Sequence, residues 1–148
     1  MTDSEKTFLP GGPLRPAKPT EADLQAYGTQ LLELDGWRAI RTDPVSDRFR
    51  GKGFGEKGMA DCLYIRYQTQ WRQISGMNVA FNVVARAEVL WIEWKCAGGK
   101  AKPHQLAWIE DERARGALVL LAGESFQATP EAFFEYYRSS GLMQRDIR

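Results

Sequence analysis

Glu93 and Lys95 stand two residues apart at the end of Val89-Leu90-Trp91-Ile92-Glu93-Trp94-Lys95, a β-branched and aromatic run in which nothing breaks a strand. Side chains two apart share a strand face, so Val89, Trp91, Glu93 and Lys95 point one way and Leu90, Ile92 and Trp94 the other. A carboxylate and an ammonium thus close an otherwise apolar face of a strand expected to be deeply buried. Burying such charges is costly unless they pair or hold a metal. Three more polar residues fall where they can join them: Asp61 at the start of Cys62–Tyr67, Gln105 at the start of a later helix, and Glu21 in the first turn of an early one.

Two acids with a lysine suit phosphodiester hydrolysis. Hard oxygen ligands hold Mg2+ or Mn2+, and the ion lowers the pKa of a water and offsets charge on the phosphate. A nearby lysine orients that water or stabilises the same charge. One ion, or a pair about 3.5–4 Å apart, would suit this ligand supply. Each residue also has a plainer reading. An aspartate after a glycine turn caps the turn, and a first-turn glutamate complements the helix dipole. Asp followed far later by Glu-x-Lys also occurs by chance, so the elements that carry these residues decide the matter.

Residues 1–19 contain Pro10, Gly11, Gly12, Pro13, Pro16 and Pro19, which suit neither a helix nor a central strand and predict a flexible tail. Residues 20–148 then form a single domain. Thr20 is a helix N-cap, with Asp23 in a variant of the capping box, and Gly36 ends the helix after about Asp35. Leu24, Gly28, Leu31 and Leu32 form its buried stripe; Glu21 falls beside that stripe and Glu33 opposite its centre. Trp37–Arg41 is a short strand, residues 42–57 a polar, glycine-containing loop, and Cys62–Tyr67 a second strand.

Residues 68–86 read as an inserted hairpin or elongated loop, with Val79–Val84 strand-like and Ser75–Asn78 its turn. A small basic connection, Cys96–Lys102, follows the Glu93 strand, and Pro103 opens a helix that ends near Arg115. Gln105, Trp108 and Ile109 share its inward face, while His104 points elsewhere as a surface or capping residue. Ala117–Leu121 is continuously apolar, as in a strand covered on both faces. Thr129 and Pro130 open a last helix, docked by Phe133, Phe134, Tyr136 and Tyr137. The sum is a mixed-sheet α/β domain flanked by helices.

A chain of 148 residues makes one domain with a real core. The formal net charge of +1 announces no polyanionic partner, but Arg38, Arg41, Arg48, Arg50, Lys52 and Lys57 crowd one region, and Lys95, Lys100 and Lys102 another. Such clusters are as often plain solvated surface. No apolar run reaches membrane-spanning length and no signal pattern opens the chain, which predicts a soluble, cytoplasmic protein without a membrane partner. Cys62 and Cys96, with a single histidine, cannot make a zinc site and read as reduced core residues.

In this element order, Glu21, Gly58-Met59-Ala60-Asp61, Ile92-Glu93-Trp94-Lys95, Gly98-Gly99-Lys100 and Gln105 resemble the PD-(D/E)xK nuclease superfamily, and more closely its virus-type replication-repair nuclease (VRR-NUC) domains. The resemblance covers about Thr20 to Leu121. It implies a restriction-endonuclease-like αβββαβ core and a Mg2+- or Mn2+-dependent DNA endonuclease, structure-selective for branched, flap or junction DNA and acting as a homodimer. It implies Asp61, Glu93 and the Trp94 backbone carbonyl as metal ligands, Lys95 as the catalytic lysine, and Glu21 and Gln105 as supporting catalytic residues. Arg48, Arg50, Lys52, Lys57, Lys100 and Lys102 would contact DNA phosphates. The family usually has proline where this chain has Ala60, and the 68–86 segment exceeds the compact pattern. A sequence-specific restriction-like nuclease and a non-catalytic binding module on the same fold are the competing readings.

Overall fold

The structure, a computed structural model, describes residues 18–42, 56–73, 76 and 80–147. Their order is α1 (Glu21–Leu34), β1 (Arg38–Arg41), β2 (Cys62–Gln73), β3 (Ala80–Glu93), α2 (Pro103–Ala114), β4 (Leu118–Leu121) and α3 (Pro130–Ser139). The strands make one four-stranded mixed sheet in the order β1-β2-β3-β4. The β1/β2 and β2/β3 pairs are antiparallel, and β3/β4 is parallel, joined by α2 as a crossover.

Local chemistry sets the helix ends. The Thr20 hydroxyl accepts from the Asp23 N–H at 3.1 Å, and the Asp23 carboxylate accepts from the Thr20 N–H at 2.9 Å, the predicted box. Leu24, Gly28, Leu31 and Leu32 are the buried residues of α1, the predicted stripe. Gly28 is required by a close approach: a Cβ there would lie 2.1 Å from the Trp94 ring. Replacing it with alanine would overpack this contact, at a typical cost of about 1–3 kcal/mol.

The sheet separates two apolar layers. Leu24, Leu32, Tyr64, Leu90, Ile92, Trp94, Leu120, Phe133 and Tyr137 belong to the larger one, against α1 and α3. Ala60, Trp108, Ile109, Val119 and Leu121 form the smaller one under α2, with Trp91 packed against it. Alternating β4 residues enter opposite layers, so this strand is covered on both faces.

Several expectations change. The strand carrying Glu93 ends at Glu93, leaving Trp94 and Lys95 just beyond it. Val89 is exposed, because α2 and β4 do not reach that far back along β3. Cys62 is in the core, but Cys96 is only half-buried, since it sits in the turn after the strand. Residues 68–86 fall largely within β2 and β3, which run on together past the rest of the sheet; Gly76 is a turn residue at φ 85°. The expected tail lies outside the described residues as far as residue 17. Among the described residues no helix is long and apolar enough to cross a membrane.

Candidate active site

The turn before β2 positions Asp61. Gly58 has φ 89°, and a Cβ on it would lie 2.3 Å from the His104 carbonyl in the first turn of α2. Only glycine tolerates both the conformation and the approach. That contact ties the Asp61 turn to the helix that carries Gln105. Ala60 is wholly buried under α2, and the Asp61 carbonyl accepts from the Thr42 N–H at 3.0 Å, so the residue is anchored on both sides.

Asp61 and Glu93 meet across the ends of β2 and β3. The Asp61 N–H donates to Glu93 Oε2 at 3.2 Å, and the Trp94 N–H donates to Asp61 Oδ2 at 3.0 Å. Lys95 is not free: its Nζ lies 2.5 Å from Glu93 Oε1. Gln105 Nε2 donates to the same oxygen, and Gln105 Oε1 accepts from the Lys102 N–H at 2.8 Å, which fixes the amide's orientation. Glu93 is therefore fully buried with both oxygens occupied, whereas Asp61 Oδ1 accepts no hydrogen bond from a described residue.

Charge in this cluster is unbalanced. Burial, then the nearby Glu93 charge, push the Asp61 carboxyl up to about 7, with Glu21 adding to the shift while Lys95 and the Trp94 N–H oppose it. Burial also raises Glu93, although the hydrogen bond and charge of Lys95 counter it. Burial lowers the Lys95 ammonium, but contact with Glu93 and the charges of Glu93, Asp61 and Glu21 outweigh it, so Lys95 is raised and stays cationic. The half-buried Glu21 thus acts on all three groups through its charge. Three carboxylates face one ammonium.

The structure brings together Asp61, Glu93, Lys95, Gln105 and Glu21. Lys100, Lys102 and Lys57 are exposed around the adjoining turns. Arg48, Arg50 and Lys52 lie outside the described residues. His104 is exposed, as its spacing implied. Among the described residues no group of three or more His, Cys, Asp or Glu side chains is arranged to hold a metal. The donors that are present, two carboxylates and a backbone carbonyl, are hard oxygens with an excess of negative charge. They fit Mg2+ or Mn2+, which keep several waters, and not a caged, thiophilic or imidazole-bound ion.

Sequence reasoning missed a second buried polar cluster. Arg66 Nη1 lies 2.7 Å from Asp35 Oδ2, and Arg66 Nε lies 2.7 Å from Glu88 Oε2. The Tyr137 hydroxyl donates to Asp35, which also accepts from the backbone N–H groups of Gln144 and Arg145. The signal was available, since Arg66 falls on the same strand face as Cys62 and Tyr64.

No known protein family, curated protein or solved structure matches the chain.

Proposed function

We propose that the chain is a metal-dependent endonuclease that hydrolyses DNA phosphodiester bonds, on a restriction-endonuclease-like αβββαβ core of the VRR-NUC type. One observation carries this reading. Asp61 and Glu93 adjoin at neighbouring strand ends, with Lys95 and Gln105 converging on Glu93 and Glu21 adding charge, so acid exceeds base in a buried cluster. The element order α1-β1-β2-β3-α2-β4 supports it, as does the turn at Gly58, which ties Asp61 to α2.

Asp61, Glu93 and the Trp94 carbonyl would hold Mg2+ or Mn2+. When bound, such an ion supplies Lewis acidity that activates a water and offsets charge on the phosphate. In the metal-free site the Glu93, Asp61 and Glu21 charges favour the charged form of Lys95, which supports a role in orienting the attacking water or stabilising charge growing on the phosphate. Gln105 fixes the rotamer of Glu93 by holding one of its oxygens, while its own carbonyl is held by the start of α2. Lys57, Lys100 and Lys102 are exposed close to these turns and suit phosphate contacts that position DNA without reading its sequence. Branched, flap or junction DNA is the substrate class proposed, in replication, repair or recombination.

A second reading rests on the occupied oxygens of Glu93: a buried Glu93–Lys95 pair could also serve a non-catalytic binding module. The test is incubation of the purified chain with linear, flap and four-way-junction DNA, in Mg2+, Mn2+ or EDTA, beside Asp61→Ala and Lys95→Ala. The nuclease reading expects metal-dependent cleavage that falls by about a thousandfold or more in either variant, about 4 kcal/mol of barrier. Cleavage that survives both variants sinks the mechanism. Binding without cleavage in any metal favours the module, and cutting of linear duplex at one fixed sequence favours a restriction-like enzyme.

A further inference from the structure

Thr42 follows the last β1/β2 pair, Arg41↔Cys62, and its two polar groups hold consecutive carbonyls of the chain entering β2. Its N–H donates to the Asp61 carbonyl at 3.0 Å, which extends the β1/β2 ladder by one bond. Its hydroxyl donates to the Ala60 carbonyl. This second bond bears on the site in a way the first does not. The Ala60 carbonyl and the Asp61 N–H belong to one planar peptide group, so they turn together. That N–H donates to Glu93 Oε2 at 3.2 Å. The hydroxyl therefore holds one end of a rigid plane whose other end meets a carboxylate of the site.

We propose that Thr42 is a positioning residue for both carboxylates: its hydroxyl fixes the tilt of the Ala60–Asp61 peptide, and through it the aim of Asp61 and the rotamer of Glu93. This role rests on the nuclease reading for what the two acids hold, but not for the contacts themselves. Ala60 and Asp61 lie outside helix and strand, so no regular ladder sets the plane between them. Lys95 and Gln105 converge on Glu93 Oε1, whereas the Asp61 N–H is the donor at Oε2. Hydrogen bonds in series polarise one another, so a hydroxyl on the carbonyl makes the N–H of the same amide a stronger donor to Glu93. Ala60 is wholly buried, so its carbonyl would be left without a partner if the hydroxyl were removed. A β-branched side chain is stiff at χ1, which suits a hydroxyl that must point in one direction.

The test compares Thr42→Val, which removes the hydroxyl and keeps the backbone bond, with Thr42→Ser, which restores the hydroxyl, both in the full chain. The first readout needs no metal: hydrogen exchange of the Asp61 amide, followed by NMR in EDTA. Protection should fall by about tenfold or more in Thr42→Val and stay close to the wild-type level in Thr42→Ser. The second readout is the Mn2+ dissociation constant from titration calorimetry. It should rise by about tenfold or more in Thr42→Val, as when a metal ligand loses an outer partner, and recover in Thr42→Ser. Thr129→Val is the control: it loses the α3 cap bond to the Ala132 N–H, so it should melt earlier with Mn2+ binding unchanged. Unchanged Asp61 protection in Thr42→Val overturns the proposal, as does an Asp61 amide that already exchanges freely in the wild type, which needs no variant. A Mn2+ constant that rises equally in Thr42→Val and Thr129→Val also overturns it, since general loosening would then explain both. A wild type that binds neither Mn2+ nor Mg2+ overturns the nuclease reading instead, and amide exchange alone then decides the role of Thr42.

Discussion

Two buried charge clusters lie in the same domain, and they are built on opposite principles. Around Asp35 every charge is answered: the carboxylate meets Arg66, the Tyr137 hydroxyl and two backbone N–H groups, and Arg66 also holds Glu88 and the Leu142 carbonyl. Burial works against the Glu88 carboxylate, but the hydrogen bond and charge of Arg66 outweigh it and lower its pKa. Burial and the Asp35 carboxylate together raise the Tyr137 phenol, so it remains a neutral donor. Around Asp61 the same physics runs the other way: acids outnumber the single ammonium, and both carboxyls are raised. Burial of charge alone therefore does not mark a site of chemistry. On the reading proposed above, the residual imbalance does.

The sharpest way to break this contrast is to remove an acid from each cluster. Asp35→Ala leaves Arg66 with only Glu88 and the Leu142 carbonyl, removes the acceptor of the Tyr137 hydroxyl and of two backbone N–H groups, and should cost about 3–5 kcal/mol in a urea melt, as expected for breaking a buried ion pair. Asp61→Asn should leave the metal-free protein as stable as the wild type or more so, because it relieves burial of a charge beside Glu93. Equal losses in both variants would mean that the Asp61 cluster is as structural as the other.

Adding the ion comes next in size. If Asp61 and Glu93 hold Mg2+ or Mn2+, saturating metal should stabilise the wild type by about 2.7 kcal/mol at a hundredfold excess over the dissociation constant. Asp61→Asn and Glu93→Gln should not respond, whereas an exposed-surface control such as Arg86→Ala should. Calorimetric melts with and without metal decide this without any cleavage assay. A metal response that survives Asp61→Asn would move the site elsewhere.

The pH response of the metal-free chain should be smaller but distinct in sign. Asp61 has its carboxyl raised from 3.8 to about 7, so the folded state holds a proton that the unfolded chain releases. That contribution to stability is present below about 3.8 and is lost as pH rises through about 7. The raised Glu93 acts in the same direction. Melting temperature in EDTA should therefore decline from mildly acid to neutral pH, and the decline should flatten in Asp61→Asn. A melting temperature that climbs with pH over that interval would contradict the imbalance.

The element order and the Asp61 cluster were legible for one reason: both announce themselves through periodicity. The Leu24/Gly28/Leu31/Leu32 stripe and the Glu93 anomaly each show as a residue type at the wrong or right phase of a helix or strand. The ends of the β2–β3 ribbon were not legible, because Gln68–Gln73 is polar and strand pairing there depends on a partner and a bulge, not on composition. The direct pairing of Lys95 with Glu93 needs side-chain geometry that spacing does not give. Arg66 showed the same phase anomaly as Glu93. Its partners, Asp35, Glu88 and the Leu142 carbonyl, are far away in sequence, and no local pattern ties them together.

The smallest expected effect tests where the closed cluster stops. Arg86 reaches Glu88 at 3.1 Å, but its side chain is 63% exposed, whereas Arg66 on the other oxygen of Glu88 is buried. Water screens the outer pair, and holding a long arginine in place costs rotamer entropy, so Arg86→Ala should change stability by less than about 1 kcal/mol. Glu88 keeps Arg66 in that variant, and Asp35 keeps all its donors. A loss comparable to that of Asp35→Ala would mean that balance in the closed cluster depends on a chain of charges running out to the ribbon surface. A negligible loss would confine it to the buried centre, where Asp35 and Arg66 satisfy each other and leave nothing over for a ligand.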